Sequence, residues 1–309
     1  MEKSTKIAII GAGQVGATLG LFILQKGLGD VVLVDCAEGL AKGKATDLTQ
    51  AGMLFDFKNS ILGTDSYGDI KGADITVVTA GLPRKPGMTR LDLLKKNSEI
   101  VGSVVNEIVR HAPESIILMV TNPLDVMTYL AYKRSGFPAP RVLGQAGVLD
   151  TSRFKYYFTR SGKVAHEKIS AVVLGGHGDS MVPVISQAKV DGQPLENIVT
   201  QEEIAGVIEK TRGGGGTIVK LLKTGGAFYA PAASILTMLD AIIRDTGEIL
   251  PVSTYLDGEY GLKDIYIGVP ARLGRGGVSE VVEIELTEEE KKSLHKSASA
   301  YREFIAEIL

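Results

Sequence analysis

Lys6-Ile7-Ala8-Ile9-Ile10-Gly11-Ala12-Gly13-Gln14-Val15-Gly16 is the stretch on which the reading of this chain turns. A short apolar run of strand length, Lys6–Ile10, ends in glycines spaced G-x-G-x-x-G, and a longer apolar pattern, Val15–Lys26, follows. In a strand, turn and helix each glycine has a task. Gly11 allows the tight turn, Gly13 lets the backbone approach a phosphate pair, and Gly16 lets the helix pack on the strand. The start of the helix then turns unpaired N–H groups and the positive end of its dipole toward that anion.

The hexapeptide alone is a weak signal, and its surroundings strengthen it. A second apolar run, Val31–Val34, ends in Asp35, about 20 residues past the glycines, where a carboxylate can accept both ribose hydroxyls of a dinucleotide. The same carboxylate repels a 2′-phosphate, so the expected cofactor is NAD rather than NADP. Further strand-like runs at Ile75–Thr79 and Ile116–Val120 alternate with helical patterns at Glu38–Leu54, Asp92–Arg110 and Leu124–Arg134. This alternation predicts an α/β fold, a doubly wound parallel (Rossmann) sheet covered on both faces.

After the turn-rich Gly136-Phe137-Pro138-Ala139-Pro140 the pattern becomes less regular. We place a boundary there, with residues 1–146 as the NAD-binding domain and 147–309 as an α+β substrate domain. The second half offers helices at Thr151–Ser161, Gln201–Lys210, Phe228–Arg244 and from Thr287 onward. Its expected strands are Ile169–Leu174, Ala188–Val190 and Tyr266–Pro270. Gly213-Gly214-Gly215-Gly216 reads as a mobile loop or a helix break.

The 309 residues, 44% hydrophobic and 23% charged with a formal net charge of -2, exclude a disordered chain and offer no polybasic face for nucleic acid. Ile7–Gln25 carries no charge, yet its glycines at 11, 13, 16 and 20 argue against a signal-peptide core or membrane span. A single cysteine, Cys36, cannot form an internal disulfide, and the default location is the cytoplasm.

Gly175-Gly176-His177-Gly178-Asp179-Ser180 holds the histidine that stands apart. His111, His166 and His295 lie among charged or helix-end residues and read as surface groups. His177 is flanked by glycines that leave its ring open to a ligand, and imidazole titrates nearest physiological pH. Locally it reads as a proton-exchanging base, an ordinary loop histidine, or a metal ligand beside Asp179; no third metal ligand stands near it. Asp150 and Arg153, in Gly147-Val148-Leu149-Asp150-Thr151-Ser152-Arg153, share one face of a helix's first turn, as a substrate site or as a plain ion pair would.

Together these segments, with Thr79-Ala80-Gly81, Arg84-Lys85-Pro86-Gly87-Met88-Thr89-Arg90 and Val120-Thr121-Asn122-Pro123, resemble the lactate and malate dehydrogenase family from Lys6 to at least Val282. The resemblance implies that His177 is the acid/base, that Asp150 holds its other ring nitrogen, and that Arg153 grips the substrate carboxylate. It further implies that the segment with Arg84 and Arg90 closes over the substrate, with Arg90 against the reacting C–O group. Asn122 would bridge substrate and cofactor, and Asn97, Val120 and Thr121 would join Gly11, Ala12, Gly13, Gln14, Val15, Gly16 and Asp35 around NAD. The Asn122–Pro123 bond itself reads as a candidate cis peptide or as a plain turn.

Malate-oxidising members carry an arginine where lactate-oxidising members carry glutamine, and Arg84 occupies that place. A second guanidinium suits a second carboxylate, and a buried unpaired one would penalise pyruvate. The expected activity is reversible oxidation of (S)-malate by NAD, with lactate oxidation as the nearest alternative and a non-enzymatic NAD sensor as a more distant one. No metal, nucleic acid or membrane partner is expected. The resemblance also implies a homodimer or homotetramer.

Overall fold

The structure, a computed structural model, describes residues 4–83, 89–160, 162, 164–165 and 168–308, apart from the side chain of residue 90. Arg84, the side chain of Arg90, and His166 therefore lie outside the described residues.

The first half runs β1 (Lys6–Ile10), α1 (Gln14–Lys26), β2 (Asp30–Val34), α2 (Leu40–Phe55), β3 (Ile61–Thr64), β4 (Ile75–Val78), α3 (Arg90–His111), β5 (Ile116–Met119), α4 (Leu124–Ser135) and β6 (Val142–Gly144). The second half runs α5 (Gly147–Thr159), β7 (Ile169–Ser170), β8 (Val173–Leu174), β9 (Val182–Pro183), β10 (Lys189–Val190), β11 (Gln193–Pro194), α6 (Gln201–Leu222), α7 (Tyr229–Ile243), β12 (Ile249–Asp257), β13 (Lys263–Gly274), β14 (Gly277–Val281) and α8 (Glu288–Ala306).

One sheet of nine strands, ordered β14-β13-β12-β6-β5-β4-β1-β2-β3, forms the frame. Strands β1 to β6 pair in parallel, and the chain reverses direction of travel at β1, which lies between β2 and β4. Open α/β sheets hold their ligands outside the carboxyl ends of the strands at such a reversal. Strand alternation sorts the side chains. Ile7 and Ile9 join a core with α1 and α7, while Ala8 and Ile10 join the opposite core with α3, α4 and α8. Each fully buried aliphatic side chain there contributes on the order of 1.5–3 kcal/mol.

The sheet runs on past the change of pattern: β12 pairs antiparallel to β6 at Ser253 and Gly144, so strands from the second half extend it. Two sequence expectations need correction. Ile169–Leu174 is not one strand, because β7 pairs with β10 whereas β8 pairs with β9 in a separate ribbon. The Gly213–Gly216 run is neither loop nor break. It lies inside α6, which starts from a capping box between Thr200 and Glu203. Ile204, Val207, Thr211 and Gly214 continue a buried stripe through the glycines, so packing outweighs a cost of about 1 kcal/mol per glycine.

Candidate active site

The turn after β1 is shaped by what surrounds it. Gly11 has φ +110°, and a Cβ there would lie 2.6 Å from Thr79 Oγ1. The Thr79 hydroxyl donates to the Gly11 carbonyl at 2.9 Å. A Cβ on Gly16 would come 1.9 Å from that same carbonyl oxygen, so the helix can lie on the turn only without one. A Cβ on Gly13 would meet nothing within 4 Å, which leaves that face of the turn open. No side chain caps the N-terminus of α1, beginning at Gln14 and Val15.

Asp35 follows β2 and closes on this turn. Its carboxylate accepts the Ala12 N–H at 2.7 Å and the Ala37 N–H at 2.9 Å. At the same edge of the sheet, Gln145 follows β6, and its side-chain nitrogen is buried with no hydrogen-bond partner among the described residues. An open glycine cradle, an uncapped helix start, a carboxylate at the end of β2 and a buried donor without a partner among the described residues fit a nicotinamide dinucleotide.

Val120, Thr121 and Asn122 come next along that edge. Thr121 donates to the Ala80 carbonyl at 2.6 Å, and its methyl would sit 2.5 Å from a Cβ on Gly81. The Asn122–Pro123 bond is cis. Asn97, on α3, is buried and uses its amide between two backbone segments: it accepts the Leu82 N–H at 2.8 Å and donates to the Asn122 carbonyl at 2.7 Å. Asn97 thus ties the strand end at Asn122 to the entrance of the segment that contains Arg84. The start of α3 is fixed by a capping box between Thr89 and Asp92.

His177, in the loop after β8, meets Asp150 and Arg153, which sit one turn apart on α5. His177 Nδ1 lies 2.9 Å from Asp150 Oδ2, and Arg153 Nη1 lies 3.4 Å from Asp150 Oδ1. The Asp150 side chain is 2% exposed, against 15% for His177 and for Arg153. Burial alone would push the imidazole pKa down. The charge of Asp150 and its hydrogen bond outweigh that, and hold His177 above the ordinary value of 6.5, with Arg153 opposing. Nδ1 is occupied by Asp150, so Nε2 is the ring nitrogen that this pairing leaves over. Gly214 and Gly215 of α6 lie beside the Arg153 side chain, where Cβ atoms would stand 3.4 Å from Cδ and 3.8 Å from Nη2.

The glycines around His177 do more than open its ring. A Cβ on Gly176 would fall 1.8 Å from Tyr301 Cε2, and Gly175 pairs with Gly268 of β13. The other histidines fare differently: His111 is partly exposed beside Glu107, while His295 is half-buried with Nε2 2.8 Å from the Tyr260 carbonyl. Asp125, which reads in sequence as an ordinary acid at a helix start, is wholly buried and accepts the His177 backbone N–H at 2.9 Å. No local pattern separates it from any other first-turn aspartate. Among the described residues no group of three or more His, Cys, Asp and Glu could hold a metal ion, and no helix is long and apolar enough to cross a membrane.

Comparison with known proteins identifies the family and the fold. The NAD binding domain of lactate/malate dehydrogenase matches residues 5–144, and the alpha/beta C-terminal domain of the same family matches residues 147–309. A malate dehydrogenase of Roseiflexus sp. is 50% identical over 303 residues, covering 98% of each chain. Among solved structures, Cryptosporidium parvum malate dehydrogenase superimposes with a TM-score of 0.95 at 42% identity, covering 99% of both chains. The lactate dehydrogenase of the same organism, complexed with lactic acid and nicotinamide adenine dinucleotide, gives 0.96 at 38% identity, covering 100% of this chain and 99% of that one. With both halves matched and the likeness running end to end, this chain belongs to the lactate/malate dehydrogenase family of NAD-dependent oxidoreductases.

Proposed function

We propose that this chain interconverts (S)-malate and oxaloacetate, with residues 1–146 holding the cofactor and contributing Arg84, Arg90 and Asn122 to the substrate site, and 147–309 supplying His177, Asp150 and Arg153. The observation that carries the chemistry is the buried His177–Asp150 contact with Arg153 on the same helix face. Bound NAD supplies the hydride acceptor. His177 Nε2 takes the hydroxyl proton as malate is oxidised and returns it when oxaloacetate is reduced. Asp150 stabilises the imidazolium that forms, and Arg153 binds the carboxylate next to the reacting carbon as a planar fork. Arg90 would face the C–O group and stabilise its developing negative charge.

The fold does not choose between malate and lactate, since a lactate dehydrogenase superimposes as well as a malate dehydrogenase does. Arg84 favours malate, because a guanidinium closed over the site needs the distal carboxylate as its partner. The malate dehydrogenase relatives support the same choice. The test is the initial rate of NADH oxidation with oxaloacetate against pyruvate. We expect kcat/KM at least about a hundredfold higher for oxaloacetate, and Arg84→Gln should narrow the gap. Equal or faster turnover of pyruvate overturns the assignment.

A cytoplasmic homodimer or homotetramer completes the proposal. Support for self-association comes from Met53, Leu54 and Phe55, which expose apolar side chains together at the end of α2. Light scattering of the purified chain would settle the number of subunits.

A further inference from the structure

The loop carrying His177 is held chiefly through its backbone. Asp125 of α4 accepts the His177 N–H at 2.9 Å through Oδ2, while its Oδ1 accepts the Ser253 hydroxyl of β12 at 2.7 Å. Tyr301 of α8 donates its hydroxyl to the His177 carbonyl at 2.7 Å. Its ring occupies the space a Cβ on Gly176 would need. Ser297, one turn earlier on α8, accepts the Gly176 N–H at 2.9 Å and donates to Ser180 Oγ at 3.0 Å. Both polar atoms of the His177 peptide are thus bound by side chains from far along the sequence.

We propose that Asp125 and Tyr301 are positioning residues for proton transfer: by binding the peptide N–H and C=O of His177 they set where its imidazole stands between Asp150 and the substrate. The inference rests on the reading of His177 as the acid/base. Proton transfer needs donor and acceptor within hydrogen-bond reach, and a displacement of about 1 Å can cost on the order of a hundredfold in rate. A rigid imidazole needs a rigid backbone beneath it, and glycines at 175, 176 and 178 cannot supply that by themselves.

The choice of a carboxylate at 125 adds an electrostatic element. Burial pushes Asp125 up to about 6, against the pull of the Ser253 hydroxyl, the His177 N–H and the nearby imidazole. Above that pH Asp125 is ionised and joins Asp150 in favouring the charged imidazole, while Arg153 of α5 opposes both. Tyr301, buried near Asp125, Asp150 and Asp179, has its phenol pushed far above the ordinary range by burial first and these charges second, so it remains a donor. A neutral acceptor would satisfy the same N–H without burying a charge, which argues that the charge serves His177 rather than stability.

The experiment uses the full chain and compares Tyr301→Phe, Asp125→Asn and His177→Asn, measuring malate oxidation against pH and NADH binding by fluorescence. Tyr301→Phe keeps the ring on Gly176 and removes only the hydroxyl. We expect its kcat to fall about tenfold while malate KM and NADH affinity stay within about twofold of wild type. Asp125→Asn keeps an acceptor for the His177 N–H and removes the charge. In this variant kcat falls to a similar degree, and the acid limb of kcat/KM moves to lower pH because the imidazole loses a stabilising negative neighbour. A merely structural role would lower the melting temperature and leave both kcat and the limb in place.

If both variants keep kcat within about twofold and the limb does not move, while His177→Asn is inactive, the positioning role is overturned and the acid/base reading stands. If His177→Asn itself turns over at the wild-type rate, both fall. Should Asp125→Asn not fold, Tyr301→Phe decides alone.

Discussion

Gly11–Gly16 and Gly175–Gly178 are both places where the chain gives up side chains so that something can come close, but what comes close differs. At the first, the neighbour at Gly16 is the loop's own backbone, since the Gly11 carbonyl excludes a Cβ there, while Gly11 itself is closed in by the Thr79 hydroxyl and the Ala80 backbone at the end of β4. At the second, the neighbour is a side chain from the far end of the chain, the Tyr301 ring against Gly176. A contact with backbone has no second-site remedy, whereas a contact with a side chain does. The nucleotide loop is therefore a fixed local design. The histidine loop is assembled from four separated elements.

The largest effect should follow Gly16→Ala. Its Cβ would sit 1.9 Å from the Gly11 oxygen, so the turn must open, and NADH affinity should fall at least about a hundredfold by fluorescence titration. Unchanged affinity would mean that the turn is not the pyrophosphate cradle. Gly176→Ala comes next. Overpacking against Tyr301 should destabilise the chain by about 1–3 kcal/mol in denaturant melts. Combining it with Tyr301→Ala should restore part of that stability, a rescue that no second change offers Gly16→Ala.

Smaller still, Asp35→Ser removes the carboxylate that holds the Ala12 N–H and that, in the proposed site, would repel a 2′-phosphate. The ratio of kcat/KM for NADP to that for NAD should rise about tenfold or more, and an unchanged ratio would separate Asp35 from the ribose. The smallest effect belongs to Gly213→Ala. Gly213 is helical and exposed, and a Cβ there meets nothing within 4 Å, so we expect a gain of about 0.5–1 kcal/mol with activity unchanged. Loss of activity would show that α6 must bend at these glycines.

These differences also explain what could be read from sequence. The glycine turn, Asp35 and the first parallel strands are specified by neighbours within a few tens of residues, so spacing alone exposes them. Strand β12 escapes because Pro251 interrupts an otherwise strand-like run, a residue that usually argues against a central strand. It sits between β6 and β13 regardless, with Pro251 opposite Pro270. The α6 glycines mislead for the opposite reason: local propensity says break, while the buried stripe through Ile204, Val207, Thr211 and Gly214 holds the helix together.

At the site, His177, Asp150 and Arg153 are legible because family motifs mark them. Asp125 and Tyr301 are not, since each gains its meaning only when folding brings it against a peptide group of His177, 52 and 124 residues away. Gln145 is similar, a buried donor whose lack of a partner among the described residues is visible only once the strand ends are assembled.

The most direct test of the proton-exchange role is kcat/KM for malate oxidation as a function of pH in the wild type and in Asp150→Asn. Oxidation requires neutral His177, so the wild-type rate should fall as pH drops through a midpoint above the ordinary imidazole value of 6.5. In Asp150→Asn the imidazolium loses its principal partner. The midpoint should move to lower pH, and the plateau should drop about a hundredfold. An acid limb that stays in place, with the plateau intact, would contradict the pairing of Asp150 and His177 on which the proposed chemistry depends.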